Sequence, residues 1–422
     1  MLSPDSAATV RATLPVIAGA IQDITARFYD TMFADNPELL RDLFNRGNQA
    51  NGEQRVALAG SIAAFATMLV ERPGVLPGTM LSRIANKHAS LGVTEEQYAV
   101  VHKYLFGAIV EVLGDAVTPE VAEAWDEVYW LMAETLIGLE RGLYREAGRG
   151  WTRATVVERR EETADTVSFL LRPDLPMPFL PGQYVSVRVP LPDGARQIRQ
   201  YSLSNSPERG DWRITVKRVR DEGAPEGEVS TWLYEHVRAG DVLSVSAPFG
   251  DLTLPEGDGP LLLASAGIGV TPILSMLDHL LATGSQRRVV VVHADRSPGA
   301  HVHREELADL VAALPGATLH RWYEDLPPAQ ADDAANGADH ATAVGRADMS
   351  AIDLPGDVVA CLCGPLPFMR AVRAQLVELG VPDSGIHYEV GPARRRPRQR
   401  AEPVSVQNPS AQEPDRYKNP SG

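Results

Sequence analysis

Cysteine is nearly absent from these 422 residues: Cys361 and Cys363 are the only two. They lie too close for an unstrained disulfide in an extended strand, and nothing else points to an oxidising compartment. No run reaches the roughly 18 apolar residues of a membrane span. The opening MLSPDSAATV lacks the charged and apolar blocks of a secretory signal, so a cytoplasmic protein without stable membrane association is expected. Basic residues are outnumbered, 40 Lys and Arg against 55 Asp and Glu, for a net charge of -15. That balance excludes a general affinity for nucleic acid or anionic membrane. The one basic run, Arg394 to Arg396 with Arg398 and Arg400, sits in a Pro-rich tail. The G-x-G-x-x-G fingerprint is missing as well, which disfavours a Rossmann dehydrogenase.

What is present is enough chain for several cores, since single cores stop growing near 250 to 300 residues. Before residue 150 the apolar spacing is three and four: Ile17, Ile21, Ile24 and Phe28 share one helical face, and Leu58, Ile62, Phe65 and Leu69 another. Trp125 to Tyr144 repeats the pattern. From Trp151 the runs are short and β-rich, and six strands broken by Pro and Gly predict a small antiparallel barrel. After Pro255-Glu256-Gly257-Asp258-Gly259-Pro260, strands of continuous apolar residues alternate with helices, the pattern of a parallel sheet covered on both faces. The expected division is 1–147 all-α, 151–256 barrel, 258–392 parallel α/β and 393–422 a disordered tail. Residues 330–345 read as a mobile loop.

The stretch IANKHASLGVTEEQY holds His88 and Tyr98. Thr94 with Gln97 makes a capping box and Val93 with Tyr98 a hydrophobic staple, so a helix starts at Thr94 and Gly92 ends the previous one. His88 therefore falls in a last turn, where the macrodipole alone favours histidine. Spacing leaves it open whether His88 is a helix-end histidine or a ligand. Gln54 continues the stripe through Leu58 and Phe65, and a buried amide or the Tyr29 hydroxyl needs partners. Such helices can enclose a haem on a proximal histidine.

The runs ITARFYDTMFADNPELLRDLFNRGNQANGEQRVAL, NKHASLGVTEEQY and AWDEVYWLMAETLIGLERGLY resemble the globin domain of a flavohemoglobin over nearly all of residues 1–147. The resemblance implies haem b on His88, with Tyr29 and Gln54 facing the distal pocket, Phe44 wedging the haem, Leu58 crowding the gas and Lys87 beside it. It also implies that Tyr98 and Glu140 hold His88. A carboxylate accepting the imidazole proton makes the ring more electron-donating. Without the family, Glu140 reads as a surface helix carboxylate.

Arg199-Gln200-Tyr201-Ser202, preceded by Pro181-Gly182-Gln183-Tyr184, resembles the FAD motif of the ferredoxin-NADP reductase family, with Arg for pyrophosphate and tyrosines on the flavin ring. Gly227, Glu228, Val229 and Ser230 match its phosphate loop. Gly267, Ile268, Gly269, Val270, Thr271 and Pro272 match the family's NADH or NADPH loop, where glycines admit backbone and Pro suits a first helical turn. Cys363, Gly364 and Pro365 stand where the family keeps a Cys near the nicotinamide. A plain buried strand residue is the other reading of Cys363. Arg296, His301 and His303 are weaker candidates for adenosine ribose or a metal. The chain departs from the family at Tyr388-Glu389-Val390-Gly391-Pro392, one residue short and without the aromatic ring that the family sets near the flavin.

By this resemblance the chain is an NAD(P)H-dependent nitric oxide dioxygenase, acting on NO and O2 and expected as a monomer. Two alternatives stand beside it: an oxygen-storing or gas-sensing globin with its own reductase, and an NAD(P)H-dependent flavin, ferric or quinone reductase.

Overall fold

The computed structural model describes residues 1–50, 52–148, 150–220, 225–326 and 340–390. The first 147 residues fold as seven helices: α1 (Pro4–Asp35), α2 (Pro37–Asp42), α3 (Arg46–Ala50), α4 (Glu53–Glu71), α5 (Gly78–Leu91), α6 (Glu95–Leu113) and α7 (Pro119–Ala147). Val10, Ile17, Ile24, Phe28, Phe65, Leu105, Trp125 and Leu136 bury into one core, as three- and four-residue spacing requires. Ser3 and Thr118 cap α1 and α7, each followed by Pro in the first turn.

An antiparallel sheet follows: β1 (Trp151–Thr163), β2 (Thr166–Pro173), β3 (Tyr184–Pro190), β4 (Arg196–Ser202), β5 (Trp212–Lys217) and, after the helix α8 (Glu228–His236), β6 (Val242–Ser246), in the order β4-β3-β6-β1-β2-β5. The β3–β4 register sets Tyr184 opposite Ser202 and Val187 opposite Arg199. Gly182 is a steric necessity: its φ is +105°, and a Cβ there would stand 2.2 Å from the Leu252 carbonyl oxygen.

The last part is a parallel sheet, order β10-β9-β8-β7-β11-β12, built from β7 (Leu261–Ala266), α9 (Val270–Ala282), β8 (Val289–Asp295), α10 (Arg304–Ala313), β9 (Ala317–Tyr323), β10 (His340–Val344), β11 (Val359–Gly364), α11 (Leu366–Glu378) and β12 (Ile386–Val390). β7 is buried at every position, as a strand covered on both faces should be. Both cysteines lie on β11 and are free. The expected loop at 330–345 is corrected at its C-terminal end: 340–344 form β10, paired in parallel with β9. Pairing with the neighbouring edge recruits a segment whose composition alone reads as loop, while 330–339 lie outside the described residues. So does the tail from 391. The Pro255–Pro260 connection is no free linker, because Arg287 donates to the Pro255 and Gly259 carbonyls at 2.7 and 2.8 Å.

Three parts meet at α5. Asn86 Oδ1 accepts the Gly250 N–H at 2.9 Å, and Arg83 donates to the Tyr388 carbonyl at 2.7 Å while lying over the Tyr388 ring. Ala89 packs with Tyr184, Ala247 and Phe249.

Candidate functional site

α5 ends where Gly92 takes the left-handed conformation, φ +78°, with Val93 N–H returning to the His88 carbonyl. α6 begins three residues later, at Glu95, with Gln97 Oε1 accepting the Thr94 N–H at 3.0 Å. This tight corner brings Tyr98 back beneath His88. The Tyr98 hydroxyl donates to Glu140 Oε1 at 2.6 Å, and the same oxygen lies 2.9 Å from His88 Nδ1; Tyr98 Oη is 3.0 Å from Nδ1. Glu140 is 2% exposed, which removes its reading as a surface carboxylate. With Nδ1 donating to a carboxylate, Nε2 is left as the electron-pair nitrogen of the neutral ring. Burial, then the Glu140 charge, raises the Tyr98 hydroxyl above its usual range, so it stays a donor.

Across the helical core, Tyr29 is buried on α1 with its ring 6.0 Å from Phe44, edge-on, and 5.5 Å from Phe33. Burial raises its hydroxyl above the ordinary tyrosine range, opposed by Gln49 and by the Arg55 charge. The amide beside Tyr29 is thus Gln49, which the sequence motifs did not single out. It is close enough to lower the Tyr29 pKa, yet both amide atoms are buried without a well-formed hydrogen bond. Gln54, the expected amide, is half-buried at the start of α4 and forms no hydrogen bond with Tyr29. A buried, unsatisfied amide next to a protonated phenol is what a small polar guest would satisfy, and a ring whose Nδ1 proton is given to Glu140 would leave Nε2 for iron. Leu58 packs at the edge of this core. Lys87 has surface accessibility but protein crowds it, and desolvation, then Arg199, lower its pKa.

On the barrel, Tyr184 is buried, and Tyr201 and Ser202 are half-buried on the neighbouring strand. Gln200 is spent on Ser186 Oγ at 3.1 Å. Arg199 donates to the Ile198 carbonyl at 2.7 Å and to Gln197 Oε1 at 3.3 Å, and closes no ion pair among the described residues. Desolvation lowers its pKa. An unpaired, largely desolvated guanidinium beside the uncapped N-terminus of α8 suits a pyrophosphate. Gly227 and Ser230 build this turn: Ser230 Oγ accepts from Val219 N–H and donates to the Gly227 carbonyl, while Val229 is buried beneath it.

In the parallel sheet, Gly267 to Gly269 bridge β7 and α9. A Cβ on Gly267 would meet nothing within 4 Å, whereas one on Gly269 would stand 2.3 Å from the Cys363 carbonyl oxygen. The first leaves room for a phosphate; the second presses the loop onto the end of β11. Thr271 Oγ1 donates to the Ile268 carbonyl at 3.0 Å, with Val270 and Pro272 buried below. Pro365 caps α11 after Gly364. Cys363 pairs with Glu389 and Gly364 with Val390 along β12; the Val390 side chain and Gly391-Pro392 lie outside the described residues. Burial, then Glu389, raises the Cys363 thiol above its usual range. Burial, then Asp251, pushes Glu389 up to about 7 against the lowering pull of Arg83. Asp251 and Arg83 are functional-site neighbours the motifs missed, visible only once α5 meets β12.

The weaker candidates separate. His301 is buried, stacked at 3.8 Å on His293 with Nδ1 2.8 Å from the Tyr323 hydroxyl. His303 crosses to the barrel, Nε2 3.0 Å from Thr215 Oγ1 and Nδ1 3.0 Å from Glu306. Arg296 is exposed after β8. Among the described residues no group of three or more His, Cys, Asp or Glu is placed to hold a metal ion.

Comparison with known proteins follows the same three-part division. Residues 26–136 match the globin family, 153–254 the oxidoreductase FAD-binding domain and 263–374 the oxidoreductase NAD-binding domain. Fold and site together define a globin carrying its own flavin and nicotinamide reductase. A flavohemoprotein of Bordetella parapertussis is 45% identical over 92% of this chain and 98% of its own length. The crystal structure of flavohemoglobin from Malassezia yamatoensis with bound FAD and heme superposes with a TM-score of 0.82 at 39% identity, covering 92% of this chain and 99% of that one. The FAD/NAD-binding domain of nitric oxide dioxygenase from Vibrio cholerae, 34% identical with a TM-score of 0.50, covers 57% of this chain and 98% of that one. The chain belongs to the flavohemoprotein family.

Proposed function

We propose that this chain is an NAD(P)H-dependent nitric oxide dioxygenase, converting nitric oxide and oxygen to nitrate, in parts spanning 1–147, 151–256 and 258–392. The observation that carries the reading is the His88–Tyr98–Glu140 triangle, in which Tyr98 and Glu140 are buried and His88 half-buried, joined in one chain to a flavin and nucleotide module. When bound, haem b supplies a gas-binding iron, FAD the passage from two electrons to one, and NADH or NADPH the hydride. His88 Nε2 would hold the iron, and Glu140, accepting from Nδ1 and from Tyr98, would make the imidazole a stronger donor. A storage protein needs no such push.

Tyr29 stays protonated through burial and would donate a hydrogen bond toward the gas, with Gln49 beside it and Gln54 at the start of α4. Phe44 and Leu58 keep water out. Arg199 and the amides from Glu228 to Ser230 would hold the flavin phosphates, while Tyr184, Tyr201 and Ser202 would line its ring. Gly267 to Pro272 would cradle the nucleotide pyrophosphate, with Cys363, Gly364 and Pro365 at the nicotinamide end. Glu389 holds or yields a proton near neutrality beside Cys363. Among the described residues no helix is long and apolar enough to cross a membrane.

The test is nitric oxide loss at an electrode in aerobic buffer, with and without NADH or NADPH. Fast, nucleotide-dependent loss with nitrate formed is expected. Loss that stops at one equivalent per haem overturns the reading.

A further inference from the structure

One buried amide builds the seam between the helical part and the edge strand of the barrel. Gln197, on β4, is 1% exposed. The two hydrogens of its Nε2 are shared among the carbonyls of Leu40 at 3.2 Å, Arg41 at 3.0 Å and Phe44 at 3.2 Å, and its Oε1 accepts the Arg46 N–H at 3.2 Å. Leu40 and Arg41 lie in the last turn of α2, where carbonyls have no helical donor. A side chain from the barrel therefore supplies the cap of a six-residue globin helix.

The same Oε1 accepts from Arg199 Nη1 at 3.3 Å. Arg46 reaches the other way, to Glu228 Oε1 at 2.6 Å in the first turn of α8, and also pairs with Asp193. Arg196 closes the seam on Asp42, at 3.1 Å through its backbone N–H and 2.9 Å through Nη2. Between these anchors the corner carries Phe44, whose ring meets Tyr29. The Phe44 corner beside Tyr29 is thus held at two points, Gln197 and Arg46, each one contact away from the residues read above as flavin-phosphate binders.

We infer that Gln197 and Arg46 couple the flavin-phosphate site to the Phe44 corner, so that an anion held by Arg199 changes the order of residues 39–46. The inference rests on the assignment of Arg199 and the Gly227–Ser230 turn to flavin phosphates. A pyrophosphate engaging Arg199 withdraws its Nη1 from Gln197 Oε1, which leaves that oxygen to the Arg46 N–H alone. Negative charge at the N-terminus of α8 also attracts the Arg46 guanidinium already held there by Glu228, so both changes order the corner. Coupling of this kind is reciprocal: an ordered corner raises flavin affinity by the factor by which flavin orders the corner.

The experiment uses the full chain, flavin-free and FAD-loaded, with amide hydrogen exchange across residues 39–46 and FAD affinity from flavin fluorescence. In the native protein FAD should slow exchange of the corner by about 5-fold or more, and faster exchange overturns the coupling. In Gln197→Leu that response should vanish and FAD affinity fall by the same factor. Arg46→Gln, at a more exposed position, should diminish the response with the fold intact. FAD that binds without changing the corner, or an equal response in native protein and both variants, overturns the coupling alone. Failure of FAD to bind overturns the flavin-site reading and the coupling with it.

Discussion

Glu140→Gln tests the electronic role of the triangle, because it removes charge while keeping shape. Glutamine has nearly the volume of glutamate and retains one oxygen able to accept from both His88 Nδ1 and the Tyr98 hydroxyl, so the contacts at 2.9 and 2.6 Å survive. What goes is the negative charge. A hydrogen bond to a charged group contributes about 1.5–3 kcal/mol and a neutral one about 0.5–1.5 kcal/mol, so the His88 bond loses about 1 kcal/mol. At 2% exposure water screens little of this. The carboxylate favours the oxidised, more positive iron, so its removal should raise the haem midpoint potential. The size is about 40 mV, taking about 59 mV per 1.4 kcal/mol for one electron. Tyr98→Phe should move the potential the other way, since one fewer donor leaves more of the Glu140 charge to His88. Potentiometric titration of the haem absorption band in the full chain reads both. A Glu140→Gln potential that is unchanged or lower refutes the electronic argument.

The other predictions are briefer. His88→Ala should purify with flavin but without haem, and a normal haem absorption band would contradict its role as ligand. Tyr29→Phe should hasten oxygen loss and slow nitric oxide turnover, checked by stopped-flow oxygen dissociation and the electrode assay. Gly269→Ala has an acceptable φ of -63° but sets a methyl 2.3 Å from a backbone oxygen. A cost of about 1–3 kcal/mol, seen as a lower thermal midpoint, and weaker NADH binding are expected. For Glu389, a folded pKa of about 7 above the ordinary 4.5 means the fold favours its neutral form. That contribution is complete below pH 4.5 and lost as pH rises through 7, a gap worth at most about 3 kcal/mol. Glu389→Gln should therefore raise the urea midpoint relative to native protein at pH 8 and change it little at pH 4.5.

Much of the molecule was legible in the order of its residues because local chemistry decides it. Apolar spacing of three and four, then alternation, then continuous apolar runs reports how many faces of each element are buried, and that marks the three kinds of architecture. The corner at Gly92 and Thr94, which swings Tyr98 beneath His88, is written in a left-handed glycine and a capping box. The steric demands at Gly182 and Gly269 sit within motifs short enough to read. Pairing between distant segments is different, since it depends on which surfaces meet. Only the fold buries Glu140 and joins it to His88 across 52 positions, sets Gln49 beside Tyr29, and turns 340–344 into a strand. Only the fold brings Arg83, Asp251 and Glu389 to one junction, or lends α2 a cap from Gln197. Hydrogen bonds of that kind have no periodicity along the chain, because both partners are chosen by packing.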